Sequence, residues 1–187
     1  MTELSAFEVL ALAKEIDLAL RGSYVNNIYS LGEGQAFRLR ASGGDDKWLV
    51  VSPTYGCWVS QKVSDREETS EFTSSLRKEL ARAKFAGASQ LGFDRVFRIA
   101  FAEPARMVVV EMMPPGNIVV TDEDESILCA EREVRTPKRR VARGSRYTPP
   151  GQSRTSPADL TPGDVSRFLT QEKTAGRAIG RHVALPR

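Results

Sequence analysis

The chain has 187 residues, 41% of them hydrophobic, and sets 27 Lys and Arg against 24 Asp and Glu for a formal net charge of +3. That is enough apolar material for one packed domain with an appendage and too much for a wholly disordered chain, while so small a positive balance does not by itself require a polyanionic partner. Two cysteines, one histidine and no CxxC pair leave a zinc site short of soft ligands, and no apolar run approaches the roughly 18–20 residues of a membrane span.

Residues Ser5 to Arg21 read as a helix. Ser5 is a natural N-cap with Glu8 three residues on, a capping box, and Gly22 stops the helix. Four strands follow at Tyr24–Leu31, Ala36–Ala41, Lys47–Ser52 and Gly56–Ser60, joined by Gly32-Glu33-Gly34, Ser42-Gly43-Gly44-Asp45 and Pro53. Gln61–Thr69 is polar and reads as a loop, and Ser70–Ala83 as a second helix with Phe72, Leu76 and Leu80 on one face. A second run of strands is expected at Lys84–Gln90, Val96–Ala102, Arg106–Met112, Asn117–Asp122 and Ser126–Cys129, with Pro114-Pro115-Gly116 as a turn.

The order helix, strands, helix, strands lacks the strand–helix alternation of a parallel sheet. It predicts an α+β fold of two packed antiparallel sheets with flanking helices, filling residues 1–134. The two helices look like equivalent starts of two halves. From 135 to 157 the chain is basic and rich in Pro, Gly and Ser, which suits a linker or a loop lying on the main domain. Residues 158–187 open with helix-start signals and are expected to be helical over Asp164–Ala178, the beginning of a second unit. The N-terminus lacks the basic start and apolar run of a secretory signal. A cytoplasmic protein is expected, with Cys57 and Cys129 as buried thiols, although one disulfide between them is compatible with the sequence.

The informative segment is Gln90-Leu91-Gly92-Phe93-Asp94-Arg95, followed at once by alternating Val96-Phe97-Arg98-Ile99-Ala100-Phe101. If Phe97, Ile99 and Phe101 enter the core, the strand is fixed in register and holds an acid and a base at its mouth. Spacing alone favours the plainer reading, a turn aspartate beside a solvated arginine. Arg135, Lys138, Arg139, Arg140, Arg143 and Arg146, with no acid among them, are candidate phosphate contacts, although a solvated mobile loop fits equally well. Arg77, Lys78, Arg82 and Lys84 read as a charged outer face, and Trp48, Trp58 and Phe93 as core packing.

Taken together, several blocks resemble the N-terminal domain of the NFACT family. They are Ala6-Phe7-Glu8-Val9-Leu10-Ala11-Leu12-Ala13-Lys14-Glu15-Ile16, Gly22-x-Tyr24-Val25-Asn26-Asn27-Ile28-Tyr29, Ser75-Leu76-Arg77-Lys78, Gln90-x-Gly92-Phe93-Asp94-Arg95, Pro115-Gly116-Asn117-Ile118-Val119-Val120-Thr121-Asp122 and Gly144-x-x-Tyr147-x-x-Pro150. The module was once called the fibronectin-binding protein A N-terminal domain, and it heads the RqcH, Tae and NEMF proteins of ribosome-associated quality control. The composition points to an archaeal version. The resemblance implies a fold similar to the N-terminal domain of formamidopyrimidine DNA glycosylases, with a helix-hairpin-helix region starting near residue 158. It also implies an RNA-binding module with no catalytic residues and no cofactor or metal. Its partners would be tRNA, the large ribosomal subunit carrying a stalled nascent chain, and ribosomal RNA, with no membrane role. In the family the pair matching Asp94-Arg95 is needed for template-free tailing, and a first-helix acid is implicated at the position of Glu8, where many relatives have Asp. Arg95 would then donate to a phosphate or base edge, with Asp94 orienting it or accepting from ribose, and Glu8 would be a second acceptor.

Two other readings are weaker. A glycosylase of the similar fold would use an N-terminal proline, and Thr2 followed by Glu3 stands there instead. An extracellular adhesin would need a secretion signal.

Overall fold

A computed structural model describes residues 4–41, 44–64, 66–151 and 160–171. Helix α1 (Ala6–Leu20) leads into strands β1 (Tyr24–Leu31), β2 (Gly34–Arg40), β3 (Asp46–Ser52) and β4 (Gly56–Ser60). Helix α2 (Glu71–Leu80) leads into β5 (Lys84–Gln90), β6 (Val96–Ala102), β7 (Arg106–Glu111), β8 (Asn117–Thr121) and β9 (Ile127–Ala130). A short hairpin, β10 (Val134–Thr136) and β11 (Arg139–Val141), and helix α3 (Pro162–Gln171) complete the described chain.

The capping box forms: Ser5 N–H donates to Glu8 Oε2 at 2.7 Å and Glu8 N–H to Ser5 Oγ at 3.3 Å. Val9, Ala13, Ile16 and Leu20, spaced by three and four residues, form the buried face of α1. Ser70 caps α2 by accepting from Thr73 N–H, and Thr73, Leu76 and Leu80 are its buried positions.

β10 and β11 pair only with each other, while strands β1–β9 are antiparallel and form one hydrogen-bonded sheet in the order β4-β3-β2-β1-β5-β6-β7-β8-β9, where the sequence predicts two packed sheets. The link is narrow. β1 and β5 pair only at Tyr24 and Lys84, supported by Gly22 N–H to Phe85 O, Val25 N–H to Ala83 O and Phe85 N–H to Ser23 O. Each helix thus delivers its chain to the same seam. Both do so through a residue of positive φ, Gly22 (81°) and Arg82 (59°), and both following strands bulge at the matching place, between Val25 and Asn27 and between Phe85 and Gly87. Across the seam α1 packs on β5, the other half's first strand, and α2 on β1.

The halves close over a shared core. Phe37 of β2 stacks on Phe101 of β6 with centroids 6.3 Å apart, although β1 and β5 lie between those strands in the sheet. Phe97, Ile99 and Phe101 enter this core as the alternation predicts, with Ile28, Leu39, Leu49, Val108 and Val120. Fully burying each such side chain contributes about 1.5–3 kcal/mol. A second cluster forms on the outer face of β6–β8, where Val96, Val109 and Val119 meet Ile127, Val141 and Tyr147. The basic stretch therefore lies on the main domain as far as it is described, with the hairpin and the following strap folded over that face. Residues 152–159 and 172–187, which include Arg154 and most of the expected continuation of α3, lie outside the described residues.

Candidate functional site

Loop 91–95 is braced from both sides. Leu91 N–H donates to Val96 O at 2.9 Å, and Met112 N–H to Arg95 O at 2.9 Å. Phe93 is buried and meets Phe7 of α1 edge-on, with centroids 4.7 Å apart. The Gln90 amide donates at 2.8 Å to both Ala6 O and Asp94 O, which ties the first turn of α1 to the acid-bearing turn. Asp94 Oδ1 accepts Arg95 N–H at 2.8 Å, fixing the turn backbone. A methyl group on Gly151 would sit 3.9 Å from Asp94 Oδ2, so the strap passes alongside. Asp94 and Arg95 are both half-buried at this rim.

Glu8 stands in the same first turn of α1 that Gln90 holds against the loop. Its carboxylate is occupied by the capping box, and the hydrogen bond from the Ser5 backbone, followed by that from its side chain, holds the carboxyl below the usual range. The fold thus brings Asp94, Arg95 and Glu8 to one end of the domain, with Glu8 serving α1 at the same time.

The basic residues divide. Arg139 sits beside buried Glu111: its Nη1 is 3.1 Å from Glu111 Oε2, its Nη2 contacts Oε1, and its Nε donates to Thr148 O at 2.8 Å. Tyr147 OH adds a hydrogen bond to Glu111 Oε1 at 2.9 Å. Only 15% of the Arg139 side chain is exposed, so it fastens the strap to β7 instead of facing solvent with the rest of its group. Burial and the neighbouring carboxylate raise the Tyr147 hydroxyl far above its ordinary range, which keeps it a donor. Arg135 pairs with Glu133 and Arg146 with Glu125, both at 2.9 Å on the surface. Lys138, Arg140 and Arg143 are exposed and have no carboxylate partner among the described residues.

Sequence reasoning missed Glu111, Asn117 and Gln90 as organisers. Buried Asn117 clamps the Arg132 backbone, donating to its carbonyl at 2.9 Å and accepting its N–H at 3.0 Å. A buried polar pair of this kind is costly to leave unmet. The signal available was an amide inside an otherwise apolar strand. Between the loop and the strap lies a pocket of about 340 Å³ walled by Leu91, Met107, Val109, Tyr147 and Pro149, with Arg98 and Arg146 at its edge.

Cys57 and Cys129 are free thiols. Burial pushes them up to about 12 and about 11, so both are poor nucleophiles. No cluster of three or more His, Cys, Asp or Glu suited to a metal ion occurs among the described residues. No described helix is long and apolar enough to cross a membrane.

Among curated proteins, the chain is 28% identical over 134 residues to ribosome quality control complex subunit 2 of Saccharomyces cerevisiae, covering 70% of this chain and 13% of that one. It is 28% identical to the human ribosome quality control complex subunit NEMF over 133 residues, covering 66% and 12%. Against the archaeal Rqc2 homolog aRqcH of Methanocaldococcus jannaschii the identity is 26% over 128 residues, covering 66% and 19%. The chain therefore spans less than a fifth of the length of these relatives. The N-terminal domain of the fibronectin-binding protein PavA of Streptococcus pneumoniae superposes with a TM-score of 0.75 at 21% identity, covering 91% of this chain and 69% of that one. A fibrinogen-binding protein from Staphylococcus aureus gives 0.72 at 20%, covering 95% and 69%. These identities establish a shared fold only. The family described as NFACT N-terminal and middle domains matches residues 5–183, and the chain belongs to it.

Proposed function

We propose that this chain is the RNA-binding module of a cytoplasmic ribosome-associated quality-control factor. In this reading it holds tRNA on a large ribosomal subunit that carries a stalled nascent chain, and it supports template-free C-terminal tailing. The observation that carries the reading is the backbone-fixed Asp94-Arg95 turn at the rim of a chain matched to the family over residues 5–183. The quality-control names of the sequence relatives support the setting.

The module does positioning work, not bond-breaking. The planar guanidinium of Arg95 suits two parallel hydrogen bonds to a phosphate or base edge. Asp94 accepts from a ribose hydroxyl or base amine, and Glu8 adds a carboxylate from the adjoining helix turn. Lys138, Arg140 and Arg143 supply a non-specific electrostatic contact to ribosomal RNA or tRNA. The fibronectin- and fibrinogen-binding names belong to the structural neighbours, whose likeness concerns the fold.

The test uses the full-length protein with Asp94→Ala and Arg95→Ala, separately. Each variant should keep its fold and lose tRNA crosslinking on purified large subunits. Undiminished crosslinking by both would refute the reading.

A further inference from the structure

The two halves of the sheet treat their outer faces differently. In the second half, valines line that face and are covered by the strap around Val141 and Tyr147. In the first half no comparable hairpin lies over the face among the described residues: Arg66 and Arg77 stand over Tyr29 at one end, Ala36 and Val50 are buried among the rings, and Tyr24, Arg40 and Trp58 are exposed. Register places them together. Tyr24 pairs with Arg40, Arg40 with Asp46, Arg38 with Trp48, and Val50 with Trp58, so these positions share one face. Tyr24 is 40% and Trp58 39% exposed, where sequence reasoning had placed the tryptophan in the core.

The rings and cations of this face touch one another. Tyr29 and Trp48 lie 5.4 Å apart at an interplanar angle of 47°. Arg66 stands 4.9 Å over Tyr29, Arg38 6.0 Å over Trp48, and Lys84 5.9 Å over Tyr24. Among the described residues, Asp46 is the one carboxylate that the register places on the face, and both Arg38 and Arg40 bond to it, so the described cations outnumber it. Glu67 lies at its end, beside Gly32.

We infer that the outer face of β1–β4 is a stacking platform for single-stranded RNA. Bases would lie on Tyr24, Trp48 and Trp58, with Arg40, Lys84 and Arg66 following the phosphates. Aromatic rings interleaved with cations along an open sheet are what sequence-tolerant single-strand binding requires. A peptide partner of acidic character would need the cations but not the ring faces. The inference takes only its ligand class from the RNA-binding reading above, and its site lies apart from the Asp94 rim.

Both tryptophans of the chain lie on this face, so tryptophan emission reports occupancy directly. Titration of the 187-residue chain with a uridine dodecamer should quench that emission. Tyr24→Ala and Trp58→Ala should each weaken binding about 5- to 150-fold, and Trp58→Phe should recover most of the loss. Arg40→Ala, at a largely exposed side chain, tests the face independently if Trp58→Ala disturbs packing. Lys14→Ala, at an exposed position on α1 away from this face, should bind the dodecamer with unchanged affinity. Absence of quenching, wild-type affinity in both Tyr24→Ala and Arg40→Ala, or equal binding of a glutamate dodecapeptide would overturn the platform. If tRNA crosslinking at the rim fails while quenching persists, the rim reading falls and the platform stands.

Discussion

Arg139 and Arg140 are neighbours in a basic run, yet the structure gives them opposite work. Replacing Arg139 with Ala leaves Glu111, whose side chain is 5% exposed, with Tyr147 as its remaining side-chain donor. Breaking one partner of a buried ion pair typically costs about 3–5 kcal/mol, because the surviving charge stays desolvated. In a chain of this size each kcal/mol corresponds to about 2–4 °C in Tm, so Arg139→Ala should melt roughly 6–20 °C lower. Arg140→Ala, at an exposed position, should change stability by about 0.5 kcal/mol or less. Because the cost lies in the unpaired carboxylate, Glu111→Gln combined with Arg139→Met should recover much of the loss. Thermal unfolding followed by circular dichroism, with urea titration as a check, measures all three. If Arg139→Ala melts within about 2 °C of Arg140→Ala, the buried pair contributes little and Arg139 returns to the solvent-facing set.

Neutralising Lys138, Arg140 and Arg143 together should weaken RNA binding and flatten its salt dependence, by about 0.7–0.9 in the log–log slope for each phosphate left unneutralised; an unchanged slope removes the hairpin from the interface. Asp94→Ala removes one hydrogen bond to Arg95 N–H and should cost about 0.5–1.5 kcal/mol in urea unfolding, so a cost several times larger would make the pair chiefly structural. Asp17 accepts from Arg21 and from Ala88 N–H, and the Arg21 hydrogen bond is the main cause holding its carboxyl below the ordinary range. Its stabilisation is therefore present above the unfolded carboxylate value near ~3.9 and is lost as pH falls through the lower folded value. Asp17→Asn should accordingly show a shallower loss of stability below about pH 4, and an acid limb identical to wild type would contradict this assignment.

Helices and strands were legible wherever period and punctuation agreed. Ser5 with Glu8 marked the start of α1, and the alternation through Phe97, Ile99 and Phe101 fixed the inner face of β6. β2 begins at Gly34, two residues before the expected Ala36, because Leu31 pairs with Gly34 across a two-residue turn. The continuity of the sheet was not legible. It rests on backbone hydrogen bonds between residues near 22–25 and 83–85, and main-chain groups carry no side-chain signature. The tryptophans misled because an apolar strand does not announce which face is covered. Basic composition in turn hid Val134 and Val141, a cross-strand pair in the β10–β11 hairpin. The Asp94-Arg95 turn was found from its place at the mouth of a strand, but its braces were not. Gln90 reaches Ala6, 84 residues away, and Arg139 reaches Glu111, 28 residues away.

The seam explains why the rim is rigid at one turn and absent at its counterpart. Each half begins with a helix, a positive-φ residue and a bulged strand, so the β1–β2 turn and the β5–β6 turn hold corresponding places. The first is the minimal Gly32-Glu33 connection, which needs no support. The second runs from Leu91 to Arg95 and would cost backbone entropy of about 1–2 kcal/mol per residue to hold in one conformation. It is held by Phe7 and the Ala6 carbonyl from α1, by the Gln90 amide, and by Met112 from the end of β7. The strap that covers the second outer face then passes Asp94 at Gly151, and Arg139 and Tyr147 fasten that strap to Glu111. One carboxylate buried under the sheet's cover therefore reaches the rim through the strap it anchors. In the other half no described strap crosses the outer face, which carries rings and guanidiniums, with Tyr24 and Trp58 exposed.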